Sequence, residues 1–362
     1  MAEGCNVKFI RCKEEPAPTG KSVGIVGAGP AGLAAAGFLR CAGHHVVVYD
    51  MMPEAGGMMF FGIPEDRIKK DNIRRSVREL MDFGVRFVFN IVIGKDIPLE
   101  ALIATHDAVL IATGTWKSSR MNIPGEDLPR VIPAAEWLVD VHLAYHGYKP
   151  WSEVAPISGN VLVIGGGLTA ADAVTVPLTY PQFRDKVNMI VLSYRRTRKL
   201  APMREAEMNR LEKLGAQIWE LTQPVEFKMQ GEKVIVKFVR LSLIEAGAGK
   251  RPKPVPLPGS EYEKAFDWVL KAVGVTPTPP FDSNKYGIEL NDDGTIKVDE
   301  NFMTTRPGVF AAGDVKHGPS LIGPAFKSGL DVAKKINDYL FGRLKPKTEE
   351  ARTSKEMLQQ RL

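Results

Sequence analysis

Two stretches of the chain space their glycines in a way that suits a phosphate ligand: Gly27-Ala28-Gly29-Pro30-Ala31-Gly32 and Gly165-Gly166-Gly167-Leu168-Thr169-Ala170. The first glycine of such a run permits a tight turn, and the second lets backbone approach a pyrophosphate. The third lets a helix close on a strand, and Ala is an accepted replacement there. The helix that follows offers unpaired N–H groups and a partial positive charge to the phosphates. Asp50 follows Gly27 by 23 residues, where a carboxylate can accept hydrogen bonds from a ribose. The second run has no such acid. It has Tyr194-Arg195-Arg196, with Arg198 close behind. A guanidinium fork binds a 2′-phosphate that an Asp would repel. The second loop is therefore expected to take NADP(H), with NAD(H) as the alternative if the arginines are merely solvated.

The elements that must position these residues are legible around them. "SVGIV" before the first loop and "NVLVI" before the second are short apolar strands. "LAAAGFLRCAG" is a small-residue helix, and "HHVVVYD" and "VNMIVLSY" are the strands that return. Two nucleotide sites of opposite charge imply two different dinucleotides, which is what a flavoprotein needs to pass hydride from nicotinamide to flavin. Further strands end in Ala112-Thr113-Gly114, in the echo Ala272-Val273-Gly274, and in Gly313-Asp314. The pattern predicts an α/β protein of two Rossmann-like, doubly wound domains with βαβ crossovers, the NAD(P) domain inserted into a discontinuous FAD domain. The boundaries expected are an extension over 1–19, FAD-binding parts at 20–115 and 275–345, a nicotinamide-binding part at 116–274, and a polar tail at 346–362. Residues 149–159 lead into the second sheet. The Gly/Pro-rich run 245–261 reads as an exposed hairpin excursion.

In this order and spacing the segments resemble the flavoproteins with two dinucleotide-binding domains. They are most similar to the small (β) subunit of glutamate synthase and its relatives, which include the large subunit of the ferredoxin-dependent transhydrogenases. The resemblance covers about residues 20 to 345. It rests on the first loop, "MPEAGGMMFFGIPEDRI", "ATGTW", "IPGEDL", "GGGLTAADA", "YRRTRKLAPMREAE" and "AAGDV…GPSLIGPAFKSG". It implies that Gly27, Gly29, Pro30, Ala31 and Gly32 cradle the FAD pyrophosphate and that Asp50 holds the adenosine ribose. Gly57, Met58, Ile63, Arg67, Ala112, Thr113 and Gly114 lie along FAD. Gly313 and Asp314 follow the ribityl chain. Pro319, Ser320, Leu321 and Ala325 belong to a helix start aimed at the flavin carbonyl side. Gly165, Gly167, Leu168, Thr169, Ala170, Arg195 and Arg196 hold NADP(H). No catalytic side chain and no metal is nominated, because the flavin carries the chemistry. Five of the six histidines read as surface or packing residues, and His317 alone as one that could approach the cofactor.

The expected activity is an FAD-dependent NAD(P)H oxidoreductase that hands electrons to ferredoxin or to a partner iron–sulfur subunit. A free-standing diaphorase or oxidase, and a non-catalytic nucleotide-binding assembly or sensor subunit, are the competing readings. Members of this group usually open with a cysteine-rich iron–sulfur domain, whereas only about 20 residues precede the first strand here. Leu168 stands where they usually carry Asp or Asn.

Cysteines occur at positions 5, 12 and 41, with no Cys-x-x-Cys. They are too few for a disulfide framework or for a thioredoxin reductase. Cys5 and Cys12 are expected as free thiols, or as ligands of a cluster completed by another chain. The chain is 44% hydrophobic and 25% charged, with a net charge of +6, as a globular protein would be. No apolar run is long enough for a membrane span, and no leader pattern is visible, so a cytoplasmic protein is expected. Oligomerisation stays open. In "RIKKDNIRRSVREL" (67–80), Ile68, Ile73, Val77 and Leu80 predict a helix that leaves Lys69, Lys70, Arg74, Arg75 and Arg78 in water. That basic face is solvated or docks an acidic partner. Without interleaved aromatics it does not suit nucleic acid.

Overall fold

The computed structural model describes residues 8–247 and 251–344. The chain forms two compact units. One comprises the residues up to Phe60, Glu65–Thr115 and those from Thr276 on, and the other comprises Phe61–Pro64 and Trp116–Val275.

The first unit is built on a five-stranded parallel sheet. Strand β1 (Ser22–Val26) lies at its centre, flanked by β2 (His45–Tyr49) and β4 (Ala108–Ile111). Beyond them lie β3 (Arg86–Val88) and the strand Val309–Ala311. Both faces of β1 are covered, which is why Val23, Ile25 and Val26 form an unbroken apolar run rather than an alternating one. The pairing sets Val26 opposite both Tyr49 and Ile111, so β1, β2 and β4 end at one level.

Helix α1 (Pro30–Cys41) follows β1. Its small residues let other backbone come close. A side chain at Gly37 would run into the Phe9 carbonyl, and one at Gly329 into the Ala31 carbonyl. The long helix Ile322–Leu340 therefore packs against α1 nearly backbone to backbone.

The extension before β1 is folded onto this unit. Phe9 and Ile10 are buried, and Cys12 forms a disulfide with Cys41 at the end of α1. The expectation of a free or cluster-bound Cys12 is thus corrected. Burial of Phe9 and Ile10 carries Cys12 to a cysteine distant in sequence. Cys5 and the tail 346–362 lie outside the described residues.

A second correction concerns the basic helix, α2 (Lys70–Asp82). Ile73, Val77 and Leu80 face inward as expected, but Ile68 precedes the helix. Lys70 is not in water. It is 1% exposed, and its Nζ donates to the Met59 carbonyl at 2.7 Å. Arg74 pairs with Glu54 through two bonds of 2.8 and 2.6 Å. Lys69, Arg75 and Arg78 remain on the exposed face.

The second unit contains another five-stranded parallel sheet. Its strands in chain order are β5 (Val131–Pro133), β6 (Gly159–Ile164), β7 (Val187–Tyr194), β8 (Gln217–Glu220) and, late in the unit, Trp268–Lys271. In space the order is β5, Trp268–Lys271, β6, β7, β8. Helices α3 (Ala134–Tyr145), α4 (Leu168–Thr179) and α5 (Glu205–Lys213) belong to the same unit. A buried cluster that includes Trp137, Val174, Tyr194 and Leu211 forms its core.

An antiparallel sheet also belongs to this unit. It pairs β9 (Thr222–Gln230) and β10 (Lys233–Ile244) with two further strands, Lys253–Pro256 and Tyr262–Phe266. The Gly/Pro-rich run is therefore partly sheet. Its strand Lys253–Pro256 pairs antiparallel with Leu241–Ile244 of β10, and residues 248–250 lie outside the description.

Candidate functional site

The first glycine loop turns sharply out of β1. Gly27 has φ +107°, and a Cβ there would collide with the Ala112 carbonyl. A Cβ on Gly32 would meet the Gly27 carbonyl, so α1 can start this close to β1 only with glycine at both positions. Gly29 differs. Its φ is −79°, which any residue can adopt, and no atom lies within 4 Å of its missing Cβ. Backbone is thus bare on the open side of the loop, at the N-terminus of α1, where Pro30 has no N–H to leave unpaired. This is the space a pyrophosphate would fill.

Four other segments come to the same loop. Asp50, at the end of β2, accepts the Ala28 N–H at 2.5 Å and the Met52 N–H at 2.8 Å. It is 6% exposed, and burial raises its pKa from 3.8 to about 6, against the pull of these two bonds. Gly56 donates to the Ala28 carbonyl at 2.8 Å, and Gly57, at φ +54°, points its missing Cβ at Gly29 Cα, 2.9 Å away. Ala112 and Thr113 back onto Gly27, and Thr113 Oγ1 donates to the Thr278 carbonyl at 3.0 Å. Gly313, at φ +73°, abuts Ala31, its missing Cβ 2.9 Å from the Ala31 Cβ. Asp314 accepts a bond from Ser320 Oγ at 2.6 Å, just before the long helix that starts beyond Leu321 and buries Ala325. Ser328, on that helix, accepts the Gly313 N–H at 3.0 Å and shares its hydroxyl with the His317 ring at 3.2 Å.

The sequence reading missed Gly56, Thr278 and Ser328. Gly56 could have been found as the first of a doubled glycine. Nothing local marked the other two. Met58 begins a short helix, Met58–Phe61, directly after Gly57. Arg67 is half-buried beyond it, Pro319 is exposed, and Gly114 adopts φ +72°. Ile63 falls in the second unit.

The second loop repeats the logic with different neighbours. A Cβ on Gly165 would strike the Ala272 carbonyl, and Ala170 lies just beyond, 3.1 Å from that point. A Cβ on Gly166 would enter the ring of Tyr194, which is buried and donates its hydroxyl to the Leu200 carbonyl at 3.1 Å. Gly167, like Gly29, has nothing within 4 Å of its missing Cβ. Leu168 and Thr169 open α4, and Leu168 is half-buried against the apolar core. The Gly165 N–H bonds the Ser193 carbonyl at 3.1 Å, so β7 delivers Arg195 and Arg196 to the same end of the sheet as the loop.

These arginines are not equivalent. Arg195 is exposed, and Arg196 Nε donates to the Pro252 carbonyl at 3.0 Å. Arg198 is already consumed by Glu220 at 2.6 Å and by Glu212 at 3.0 Å, which removes it from a phosphate's reach.

Among the described residues no helix is long and apolar enough to cross a membrane. The glutamate synthase [NADPH] small chain of Azospirillum brasilense is 36% identical over 330 residues, covering 88% of this chain and 67% of that one. The NADP(+)-dependent formate dehydrogenase subunit beta of Moorella thermoacetica is 34% identical over 327 residues, and this chain spans only 44% of it. Among solved structures, Mycobacterium tuberculosis FprA in complex with NADPH superposes with a TM-score of 0.76, covering 92% of this chain and 89% of its own. At 21% identity that is a likeness of fold. The family described as pyridine nucleotide-disulphide oxidoreductase matches residues 21–329, from β1 through Gly313-Asp314 into the long helix. By that match the chain belongs to the pyridine nucleotide-disulphide oxidoreductases, an oxidoreductase related to the glutamate synthase small chains.

Proposed function

We propose that this chain takes hydride from NADPH onto FAD and passes the electrons to a partner redox subunit or a ferredoxin. The observation that carries the reading is the pair of loops in which Gly29 and Gly167 each leave a side chain's space empty at a helix N-terminus. One loop lies beside a buried carboxylate and the other beside an exposed arginine.

FAD belongs to the first unit, with its pyrophosphate on Gly27–Gly32 and its adenosine ribose on Asp50. Gly57, Met58, Thr113, Gly313 and Asp314 line its length. The N-terminus of the helix Ile322–Leu340 favours negative charge on the flavin carbonyl side by about 0.3–1 kcal/mol. NADP(H) belongs to the second unit, on Gly165–Ala170, with its 2′-phosphate on Arg195 and on the part of Arg196 that Pro252 leaves free. Bound FAD supplies two-electron acceptance from a nicotinamide. The protein's own work is to bind, orient and exclude water. The partner is inferred because the relatives' names describe a small chain and a subunit beta, each a part of a larger enzyme.

The test is an anaerobic absorbance titration of the purified chain with NADPH and NADH in turn. Bound flavin should bleach, and at lower concentration with NADPH. Flavin that stays oxidised with both would overturn the reading. Changing Arg195 and Arg196 to Ala should weaken NADPH far more than NADH, and equal losses would refute the 2′-phosphate assignment.

A further inference from the structure

We propose that Arg204 is a further phosphate-binding residue of the second glycine loop, acting beside Arg195 on the bound dinucleotide. The inference rests on the reading of that loop as the NADP(H) site.

After β7 the chain folds back over the loop instead of leaving it. Tyr194 ties its hydroxyl to Leu200, and the Met203 N–H donates to the carbonyl of Gly166, the middle glycine, at 3.0 Å. Residue 204 is therefore one peptide unit away from an atom of the loop itself. Its side chain is exposed and has no ion pair among the described residues, whereas Arg198 is spent on two glutamates and Arg196 is partly spent on Pro252.

Arginine is also the wrong residue at position 204 on every local ground. Its φ is +68°, a region that favours glycine. It is the N-cap of α5 yet makes no side-chain cap bond, where Ser, Thr, Asp or Asn would. It places a cation at the positive end of a helix, whose first turn already holds Glu205 and Glu207. Glu207 in turn is paired with Arg210 at 2.8 Å. A long cation set beside a phosphate loop against these preferences is accounted for by an anion that the loop brings.

The position allows a clean test. Arg204→Gly suits the backbone and removes only the side chain, while Arg204→Lys keeps the charge. Dissociation constants for NADPH and NADH are measured by calorimetry on the full, flavin-loaded chain, with melting temperature alongside. Arg204→Gly should weaken NADPH about tenfold or more, as loss of one charge-assisted bond does. Arg204→Lys should lose less, and the melting temperature of Arg204→Gly should be unchanged or raised. Equal loss for NADH would support the proposal through the pyrophosphate, and loss confined to NADPH would support it through the 2′-phosphate. Unchanged affinities, or a lower melting temperature with glycine, would overturn it. A wild-type chain that binds neither nucleotide would instead overturn the reading of the loop.

Discussion

Replacing Asp50 by Asn isolates what it costs to hold a carboxylate buried beside the first loop. Burial raises its pKa from 3.8 to about 6, which at about 1.36 kcal/mol per pKa unit costs the ionised folded form ~3 kcal/mol. The sign follows from linkage. An acid whose folded pKa lies above its unfolded value contributes stability that is fully present below about 3.8 and lost as pH rises through about 6. Flavin-free wild-type chain should therefore lose ~2.5 kcal/mol of this relative to Asp50→Asn between pH 4 and pH 7, and almost nothing more above that. Asn adds a constant penalty. Its amide nitrogen must face the Ala28 or the Met52 N–H, leaving one donor unpaired at about 1–3 kcal/mol. The slope of the difference with pH is thus the quantity to read, by urea unfolding of both apoproteins across that range. Ribose hydroxyls donate to the ionised form, so FAD affinity should tighten as pH rises toward 6 and level off beyond. A wild-type-minus-Asn difference that stays flat from pH 4 to 7 would refute the burial argument, whatever happens to FAD.

The two kinds of glycine in the first loop should respond oppositely. Gly29→Ala enters open space at an ordinary φ, so melting should shift little while retained flavin falls in absorbance at 450 nm, roughly the flavin band. Gly27→Ala faces the Ala112 carbonyl at positive φ and should cost ~2 kcal/mol or more in melting before any ligand is added. Reducing Cys12–Cys41, or changing Cys12 to Ser, releases a closure of 29 residues and should cost about 3.5 kcal/mol, seen as a lower melting temperature in dithiothreitol. A melt unchanged by reduction would mean that the extension is held by Phe9 and Ile10 alone.

The fold class and both glycine loops could be read directly from the sequence, because they depend on local rules. An unbroken apolar strand, a left-handed glycine and a helix that begins at once are consequences of adjacent residues. The position of Asp50 beside the first loop was legible for the same reason, since it ends the next strand of the same βαβ unit. Its raised pKa was not legible, since it depends on what β1, β2 and the turn at Met52 exclude together.

Lys70 was misread because helical periodicity assigns faces, not depth. Only the packed structure shows that its side chain runs inward to the Met59 carbonyl. The Gly/Pro-rich run reads locally as an excursion, and only the tertiary pairing shows that Lys253–Pro256 and Tyr262–Phe266 both join β10 in an antiparallel sheet. Cys12 was read as a free thiol or a cluster ligand because 29 residues of sequence say nothing about distance. Arg195, Arg196 and Arg198 look alike in sequence, and the glutamates that claim Arg198 come from β8 and α5, outside any local window.

The two parallel sheets and the glycine loops were legible in the chain alone, since they follow from residues in contact along it. Tertiary structure alone decided which charged groups are buried, which arginines remain unspent, and that Gly57 and Gly313 close on Gly29 and Ala31. These are settled by residues far apart in sequence competing for the same space and the same hydrogen bonds.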